Sequence, residues 1–219
     1  MALKEGDMIE IAMTIRSEGK VFDSTDEKIA KENGLQGAGN KRVVFGKNML
    51  LPKVEEKLKS SKEKEEFTLK LGVEDAFGPR KKDHIHTYPE KVFKEQNLRV
   101  VVGQVYNFDG NYGKVKSASR GRVLVDFNHP LAGKEVEIKA SLQKIITDLK
   151  EKVETTLNVL IGLSDQMFDV SIKTKEISLK VPEQLVQMNQ MLEGALKEQL
   201  GKELDGYSFK FSKKAAAKE

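Results

Sequence analysis

The chain has 219 residues, of which 38% are hydrophobic and 33% charged, and it contains no cysteine. This length allows one large core or two to three small ones, and the mixed composition excludes a disordered polypeptide. Disulfides and thiolate chemistry are excluded as well, and no apolar run approaches the roughly 18 residues of a membrane-spanning helix. Because the start of the chain has no signal-peptide core, we expect a folded cytoplasmic protein without membrane contact.

The net charge of +4 is concentrated in the middle of the chain. Residues 80–127 hold ten Lys and Arg against five Asp and Glu, whereas residues 147–219 hold eleven against twelve. A basic segment favours acidic partners or nucleic acid, and the alternative is a solvated lysine-rich surface. The sequence leaves both interpretations open.

Alternating apolar residues in the first third of the chain predict antiparallel strands. Residues 8–15 alternate with a period of two, and the turn at 17–20 returns the chain into residues 21–22 as a hairpin. The same alternation predicts further strands at 42–45 and 67–71.

One short helix interrupts these strands. Leu51, Val54 and Leu58 have helical spacing, and Pro52 suits the first turn of a helix. Antiparallel strands with one short helix predict an α+β fold.

A second pair of alternating runs lies in the middle of the chain. Residues 123–127 and 136–142 both alternate with a period of two, and they flank the stretch 128–134, which reads Asn-His-Pro-Leu-Ala-Gly-Lys. The extended chain is therefore redirected at this stretch and does not end there.

Four motifs then occur in one order and spacing, at residues 22–25, 45–58, 73–79 and 126–134. Together they resemble the FKBP-type prolyl isomerases, and in particular the SlyD-like branch, whose flap loop carries an inserted domain. The resemblance covers about residues 3–146. It implies that stretch 128–134 is where the chain leaves the insert and returns to the isomerase sheet.

The resemblance implies three domains. An FKBP-like antiparallel sheet wrapped on a short helix would take residues 1–82 and 128–146, and a small β-rich insert-in-flap chaperone domain would take residues 83–127. Residues 147–219 would form a separate C-terminal α+β domain, as in long archaeal FKBP-type proteins.

The resemblance also implies an apolar pocket that binds the proline ring. Its wall would consist of Phe22, Leu50, Leu51, Val54, Phe77 and Ile138, with Asp23 as the polar group beside the twisting amide. Rotation of a prolyl bond needs no nucleophile, metal or cofactor, so we expect no cofactor and no metal. From the residues alone, the aliphatic members suit ordinary core packing equally, and Asp23 suits a loop cap or turn.

Several positions depart from the family pattern. Where the family usually has a tyrosine on the first strand, this chain has Met13, or Ala12 in an ungapped alignment. A second tyrosine position holds Phe77, a frequent tryptophan position holds Val54, and an aromatic-wall position holds Lys41. Losing two hydroxyls predicts weaker substrate orientation, and therefore a slower isomerase or one that depends on its insert.

The insert carries apolar residues that are too few for a large independent core. We therefore expect a surface that binds unfolded chains, drawn from Tyr88, Val92, Phe93, Val102, Val105 and Tyr106. His84 and His86 form an i, i+2 pair, but two histidines without further ligands are a weak signal for a metal site.

The C-terminal residues predict the order helix, strand, strand, helix, strand. The first helix would run from Leu149 to Leu160, with Thr147 or Asp148 as its N-cap and Gly162 at its end. The remaining elements are strands around 168–172, 177–181 and 207–211, and a helix from residue 182 with Leu185, Met188, Leu192, Ala195 and Leu196 inward. The methionines at 188 and 191 suit client binding, because methionine surfaces adapt to many partners, but a role in the core or in a homodimer face through residues 147–219 is the favoured interpretation.

Two classes of function follow. The first is a peptidyl-prolyl cis-trans isomerase and folding chaperone that acts on unfolded or proline-containing polypeptides. The second is a non-catalytic holdase or ribosome-associated binding protein whose isomerase pocket has eroded.

Overall fold

The computed structural model describes residues 3–36 and 39–214, so the outer limits of the predicted domains at 1 and 219 lie outside it. The chain divides into two compact units. The first unit takes the residues up to Ile15, Val21–Leu69 and those from Ile138 onward, and the second takes Arg16–Lys20 and Lys70–Glu137. The domain limits implied by the family resemblance, at 82/83, 127/128 and 146/147, stay predictions.

Strands and helices are mixed along the described chain. The strands are β1 (Met8–Ser17), β2 (Lys20–Ser24), β3 (Lys41–Val44), β4 (Glu66–Leu71), β5 (Ile85–Pro89), β6 (Val105–Phe108), β7 (Asn111–Ser119), β8 (Arg122–Asp126), β9 (Val136–Ile145), β10 (Asp169–Lys173), β11 (Glu176–Val181) and β12 (Ser208–Lys213). The helices are α1 (Glu27–Glu32), α2 (Pro52–Ser60), α3 (Glu90–Glu95), α4 (Leu149–Ile161), α5 (Glu183–Val186) and α6 (Asn189–Leu200). The predicted α+β class is confirmed. No helix of the described residues is both long and apolar enough to cross a membrane.

A five-stranded sheet contains the predicted hairpin. Its order is β2-β1-β9-β4, and β3 pairs antiparallel with the start of β1, from Met8 opposite Val44 to Ile11 opposite Lys41. The alternation of β1 turns Ile9 and Ile11 into the interior, where both are fully buried. Helix α2 begins with Pro52 as predicted.

The C-terminal segment starts with the predicted helix α4. The Asp148 side chain accepts a hydrogen bond from the Glu151 backbone N–H at 3.0 Å, and Gly162 ends the helix in the left-handed conformation. Strands β10 and β11 pair antiparallel, and β12 adds parallel to β11.

The predicted second C-terminal helix is wrong in one respect, because the structure contains two helices, α5 and α6. The break falls at Gln187 and Met188, where the Met188 backbone leaves the helical region at φ −97° and ψ 23°. Met188 was expected to face inward, but its position at the break leaves it 43% exposed.

The C-terminal segment shares a hydrophobic core with the five-stranded sheet of the first unit. Leu157, Ile177 and Leu179 of this segment belong to the same buried cluster as Met8 of β1 and Val44 of β3. Ile146, just before the segment, lies in the cluster as well and is 2% exposed.

The second unit has a four-stranded antiparallel sheet in the order β5-β8-β7-β6. A small core lies against it, formed by Phe93, Tyr106, Val115, Val123 and Val125. The rings of Phe93, Tyr106 and Phe108 meet edge to face, with centroids 5.6 and 5.7 Å from the Phe93 ring. The core of the second unit thus combines aromatic rings with the three valines.

Candidate active site

Asp23 lies at the end of β2, at the edge of a groove of about 750 Å³ in the first unit. Its side chain is 52% exposed, and one carboxylate oxygen lies 3.8 Å from Nζ of Lys41, which begins β3. This ion pair joins the proposed polar group of the site to the position where the family pattern has an aromatic wall.

Hydrogen bonds fix the segment that follows Asp23. The Thr25 backbone N–H donates to the Met13 carbonyl at 2.9 Å, and the Met13 N–H donates to Thr25 Oγ1 at 2.8 Å. The hydroxyls of Thr14 and Ser24 are 2.9 Å apart in the interior. The backbone directly after Asp23 is therefore held in place by β1, because both Ser24 and Thr25 form hydrogen bonds to that strand.

Asp23 is not the residue that caps the following helix. The side chain of Asp26 accepts a hydrogen bond from the Ile29 N–H at 2.9 Å and is the N-cap of α1. Asp23 therefore lines the groove and pairs with Lys41, and it does not cap α1.

The groove combines residues from distant parts of the chain. Its lining includes Asp23, Lys41, Arg42 and Met49, together with Asn158, Val159 and Asp165 from the end of α4 and the loop after it. Among the described residues that line it, Asp23 is the one member of the predicted pocket.

The other predicted pocket residues of the first unit are mostly interior. Met13, Leu50, Val54 and Ile138 are 8%, 9%, 1% and 0% exposed, whereas Phe22 and Leu51 are half-buried. Met13, Leu50, Val54 and Ile138 therefore belong to the buried interior of the first unit, and the role of these side chains in binding proline stays a prediction.

Phe77 lies in the second unit, where its ring stacks on His129. The ring centroids are 4.2 Å apart and the planes differ by 5°. The Leu131 backbone N–H donates to Nδ1 of His129 at 3.2 Å, and burial lowers the pKa of His129 below its ordinary value. Both observations favour the neutral imidazole, because Nδ1 cannot accept a hydrogen bond when it carries a proton.

The two ends of segment 83–127 are bonded to each other. The Lys81 N–H donates to Oδ1 of Asn128 at 2.8 Å, and the Asn128 amide donates back to the Lys81 carbonyl at 2.9 Å. The same amide donates to buried Asp126 at 2.8 Å, and Asp126 also forms an ion pair with Arg80. The Asn-His-Pro stretch therefore closes this segment at its base.

The six residues predicted to bind clients divide by exposure. Val102 and Val105 are 59% and 52% exposed, Tyr88 and Val92 are half-buried, and Phe93 and Tyr106 are buried at 1% and 7%. The Tyr106 hydroxyl donates to the Arg99 carbonyl. Phe93 and Tyr106 thus contribute to the core of the second unit, and Val102 and Val105 contribute to its surface.

Both histidines of the i, i+2 pair line a groove of about 460 Å³ in the second unit. Its other walls include Tyr88, Phe108 and Tyr112. Within the described residues, no group of three or more His, Cys, Asp and Glu is arranged to hold a metal ion.

The sequence is similar to a probable FKBP-type 16 kDa peptidyl-prolyl cis-trans isomerase of Pseudomonas fluorescens. The two proteins are 34% identical over 119 residues, which is 53% of this chain and 73% of the relative. The chain belongs to the FKBP-type peptidyl-prolyl isomerase family. The family assignment made from the motifs is therefore confirmed.

Two other relatives are also named as peptidyl-prolyl cis-trans isomerases. A short-type peptidyl-prolyl cis-trans isomerase of Methanocaldococcus jannaschii is 26% identical over 147 residues, covering 65% of this chain and 94% of the relative. The FKBP-type isomerase SlyD of Treponema pallidum is 28% identical over 145 residues, covering 63% of this chain and 75% of the relative. The family described as FKBP26, IF domain, matches residues 88–131.

The sequence motifs did not predict two further groups of residues, namely exposed apolar residues on the second unit and groove residues from the C-terminal segment. Val101 and Tyr112 are 42% and 70% exposed on the second unit. Tyr112 could have been found, because inward-facing Gly113 and Val115 alternate with it on β7. Asn158 and Asp165 reach the groove beside Asp23 through long-range packing, for which no local sequence signal exists.

Proposed function

We propose that this chain catalyses cis-trans isomerisation of bonds preceding proline. The observation that carries the proposal is the 34% identity across 73% of a relative named as an FKBP-type isomerase. It is supported by the position of Asp23 at the edge of a groove whose lining includes the apolar side chains of Val43 and Met49.

The proposed mechanism is differential binding of the twisted amide. Resonance holds the prolyl amide planar with a barrier of roughly 18–20 kcal/mol, so lowering the barrier means binding the rotated state more tightly than the planar one. The half-buried apolar side chains of the predicted pocket, Phe22 and Leu51, would hold the ring away from water, and Asp23 would interact with the amide as its resonance is lost. The assignment of Phe77 to this site rests on the sequence resemblance alone.

The missing tyrosines predict modest activity. Met13 and Phe77 hold no hydroxyl with which to orient the substrate backbone. A neutral hydrogen bond contributes roughly 0.5–1.5 kcal/mol net, so each loss would slow turnover by about two- to thirteenfold.

The first test measures isomerisation of a prolyl tetrapeptide by the full chain. We expect catalysis, and we expect Asp23→Asn to reduce kcat/KM by about tenfold, equivalent to roughly 1.4 kcal/mol of transition-state stabilisation. Stability should change little, because an exposed ion pair such as Asp23–Lys41 contributes about 0–1 kcal/mol. Asp205→Asn, an exposed acid elsewhere in the first unit, is the control and should retain activity. No catalysis by the unmodified chain would contradict the proposal.

We further propose a second function, in which the second unit binds unfolded polypeptides. Val101, Val102, Val105 and Tyr112 leave apolar surface exposed, while a separate core stabilises the sheet beneath. Apolar surface on a stable scaffold is suited to binding extended hydrophobic segments. Because the binding surface and the catalytic site belong to one chain, a bound client has a higher effective concentration of its prolines at the catalytic site.

The second test separates polypeptide binding from catalysis. Val102→Ser with Val105→Ser should slow catalysed refolding of a proline-limited protein by about tenfold more than turnover of a tetrapeptide, because the lost contribution is remote binding energy. Suppression of aggregation should decrease in parallel. Met167→Ser, with 43% exposure outside this unit, is the control. An equal loss on both substrates would mean that these valines support the catalytic site only.

The alternative of a non-catalytic holdase is not favoured, because the three relatives described above are all named as isomerases. Ribosome association and likeness to the long archaeal type stay predictions.

A further inference from the structure

We propose that the groove beside Asp23 binds the polypeptide that flanks the substrate proline, and that the C-terminal segment forms one wall of this subsite. The inference rests on the proposed isomerase function and extends it. It assigns part of substrate recognition to Asn158, Val159 and Asp165, which follow the FKBP-type region in the sequence.

The wall is attached to the sheet by a polar network around Arg42 of β3. Its guanidinium Nη1 donates to Oδ1 of Asn158 at 3.3 Å and lies 3.7 Å from the Asp165 carboxylate and 4.0 Å from that of Glu154. Asn158 in turn donates its amide to the Leu163 carbonyl at 2.6 Å. One cation therefore holds both the end of α4 and the following loop.

A second contact fixes the other end of α4. Lys144 of β9 donates to both carboxylate oxygens of Glu151 at 2.9 Å. The hydrogen bond to Glu151 raises the pKa of Lys144, so the contact stays charged at neutral pH. With both ends attached, the wall is preorganised and binding loses little conformational entropy.

The lining suits a polar, extended chain with basic side chains. Three carboxylates, of Glu10, Asp23 and Asp165, face two cations, of Lys41 and Arg42. Each of these carboxylates has a cation within 4.0 Å, because Asp23 pairs with Lys41, Asp165 with Arg42 and Glu10 with Lys144. Arg42 and Lys144 also pair with Glu154 and Glu151, and Glu154 pairs with Lys150. The whole cluster thus has five carboxylates against four cations, and this excess of negative charge favours Lys or Arg near the proline over Glu, while the apolar lining can cover the aliphatic stems of such residues.

The test uses the full chain and three fluorescent peptides: an alanine-proline tetrapeptide, and two twelve-residue peptides that flank the same core with Lys or with Glu. Val159→Arg fills the groove, whereas Leu160→Arg places the same side chain on the next, 47% exposed position of α4. We expect Val159→Arg to weaken binding of the Lys peptide relative to the tetrapeptide by about tenfold. Leu160→Arg should leave that ratio within about twofold.

Charge is tested at Asp165, whose side chain is 72% exposed, so we expect its substitution to leave the fold intact, as checked by an unchanged circular dichroism spectrum. Asp165→Lys should reduce or reverse the preference for the Lys peptide over the Glu peptide at low salt, and high salt should weaken the preference. An unchanged ratio in both variants, or an equal effect of Val159→Arg and Leu160→Arg, would overturn the subsite. Because affinity is measured without turnover, an inactive protein that still discriminates these peptides would contradict the isomerase and keep the subsite.

Discussion

At the scale of single residues, the groove of the first unit is marked by an ion pair between two exposed side chains. Asp23 and Lys41 form this pair, and neither is buried, yet each limits the chemistry of the groove. An aromatic wall would exclude water from the carboxylate, whereas a lysine pairs with it. At this position the chain therefore has an ion pair, between Lys41 and Asp23, where the family resemblance implies an aromatic side chain.

His129 leads to a prediction about pH. Its pKa is lowered in the folded protein, so the unfolded chain binds a proton first as pH falls below about 6.5. The stabilisation from neutral His129 is thus full above this pH and is lost as pH falls through the lower pKa of the folded state. We expect the free energy of unfolding to decrease with falling pH in this window, and less steeply in His129→Gln, by urea titration. Parallel pH profiles would show that the stacked ring is not linked to stability.

At the scale of elements, the sequence predicted the long strands and helices, because their apolar residues repeat often enough to show which face is buried. Ten-residue β1 and thirteen-residue α4 have clear periodicity, and Asp148 and Gly162 mark the ends of α4. Six-residue α1 and α3 were not predicted, because one turn and a half of helix depends on tertiary packing. In α3, the burial of Phe93 against Tyr106 supplies that packing.

The candidate site was predictable to the same extent. Local motifs predicted a site at Asp23 and the apolar residues around α2, and of these Asp23 lines the groove. The contribution of Asn158 and Asp165 was not predictable, because it depends on how α4 packs on β3, more than a hundred residues away in sequence.

Strand β7 offers a test of packing in the second unit. A Cβ added at Gly113 would lie 2.5 Å from Val125 Cγ1 and 2.8 Å from Phe127 Cε1. We expect Gly113→Ala to reduce the free energy of unfolding by about 1–3 kcal/mol, since an overfilled core must shift. Gly72→Ala, where the added carbon has no atom within 4 Å, is the control in the same unit. Equal denaturation midpoints for the two variants would show that the core yields without strain.

At the scale of the molecule, the exposed methionines of the C-terminal segment suggest self-association. Met188 and Met191 are 43% and 55% exposed, and soft thioethers adapt well to a second apolar face. We predict that the full chain sediments as a dimer at micromolar concentration, and that Met188→Lys with Met191→Lys makes it a monomer. Met167→Lys, at similar exposure, tests whether position matters. A monomeric unmodified chain would contradict the dimer and favour client binding by these methionines.

The core shared by Met8, Val44 and the C-terminal segment also bears on synthesis. Strand β1 leaves the ribosome early, but its partners Leu157, Ile177 and Leu196 are translated more than a hundred residues later. Contacts of such separation close slowly and only once the late residues are available. During translation, the N-terminal strands of the first unit therefore expose apolar side chains until the C-terminal segment has been made. A protein proposed to assist the folding of other chains thus passes through an aggregation-prone stage of its own.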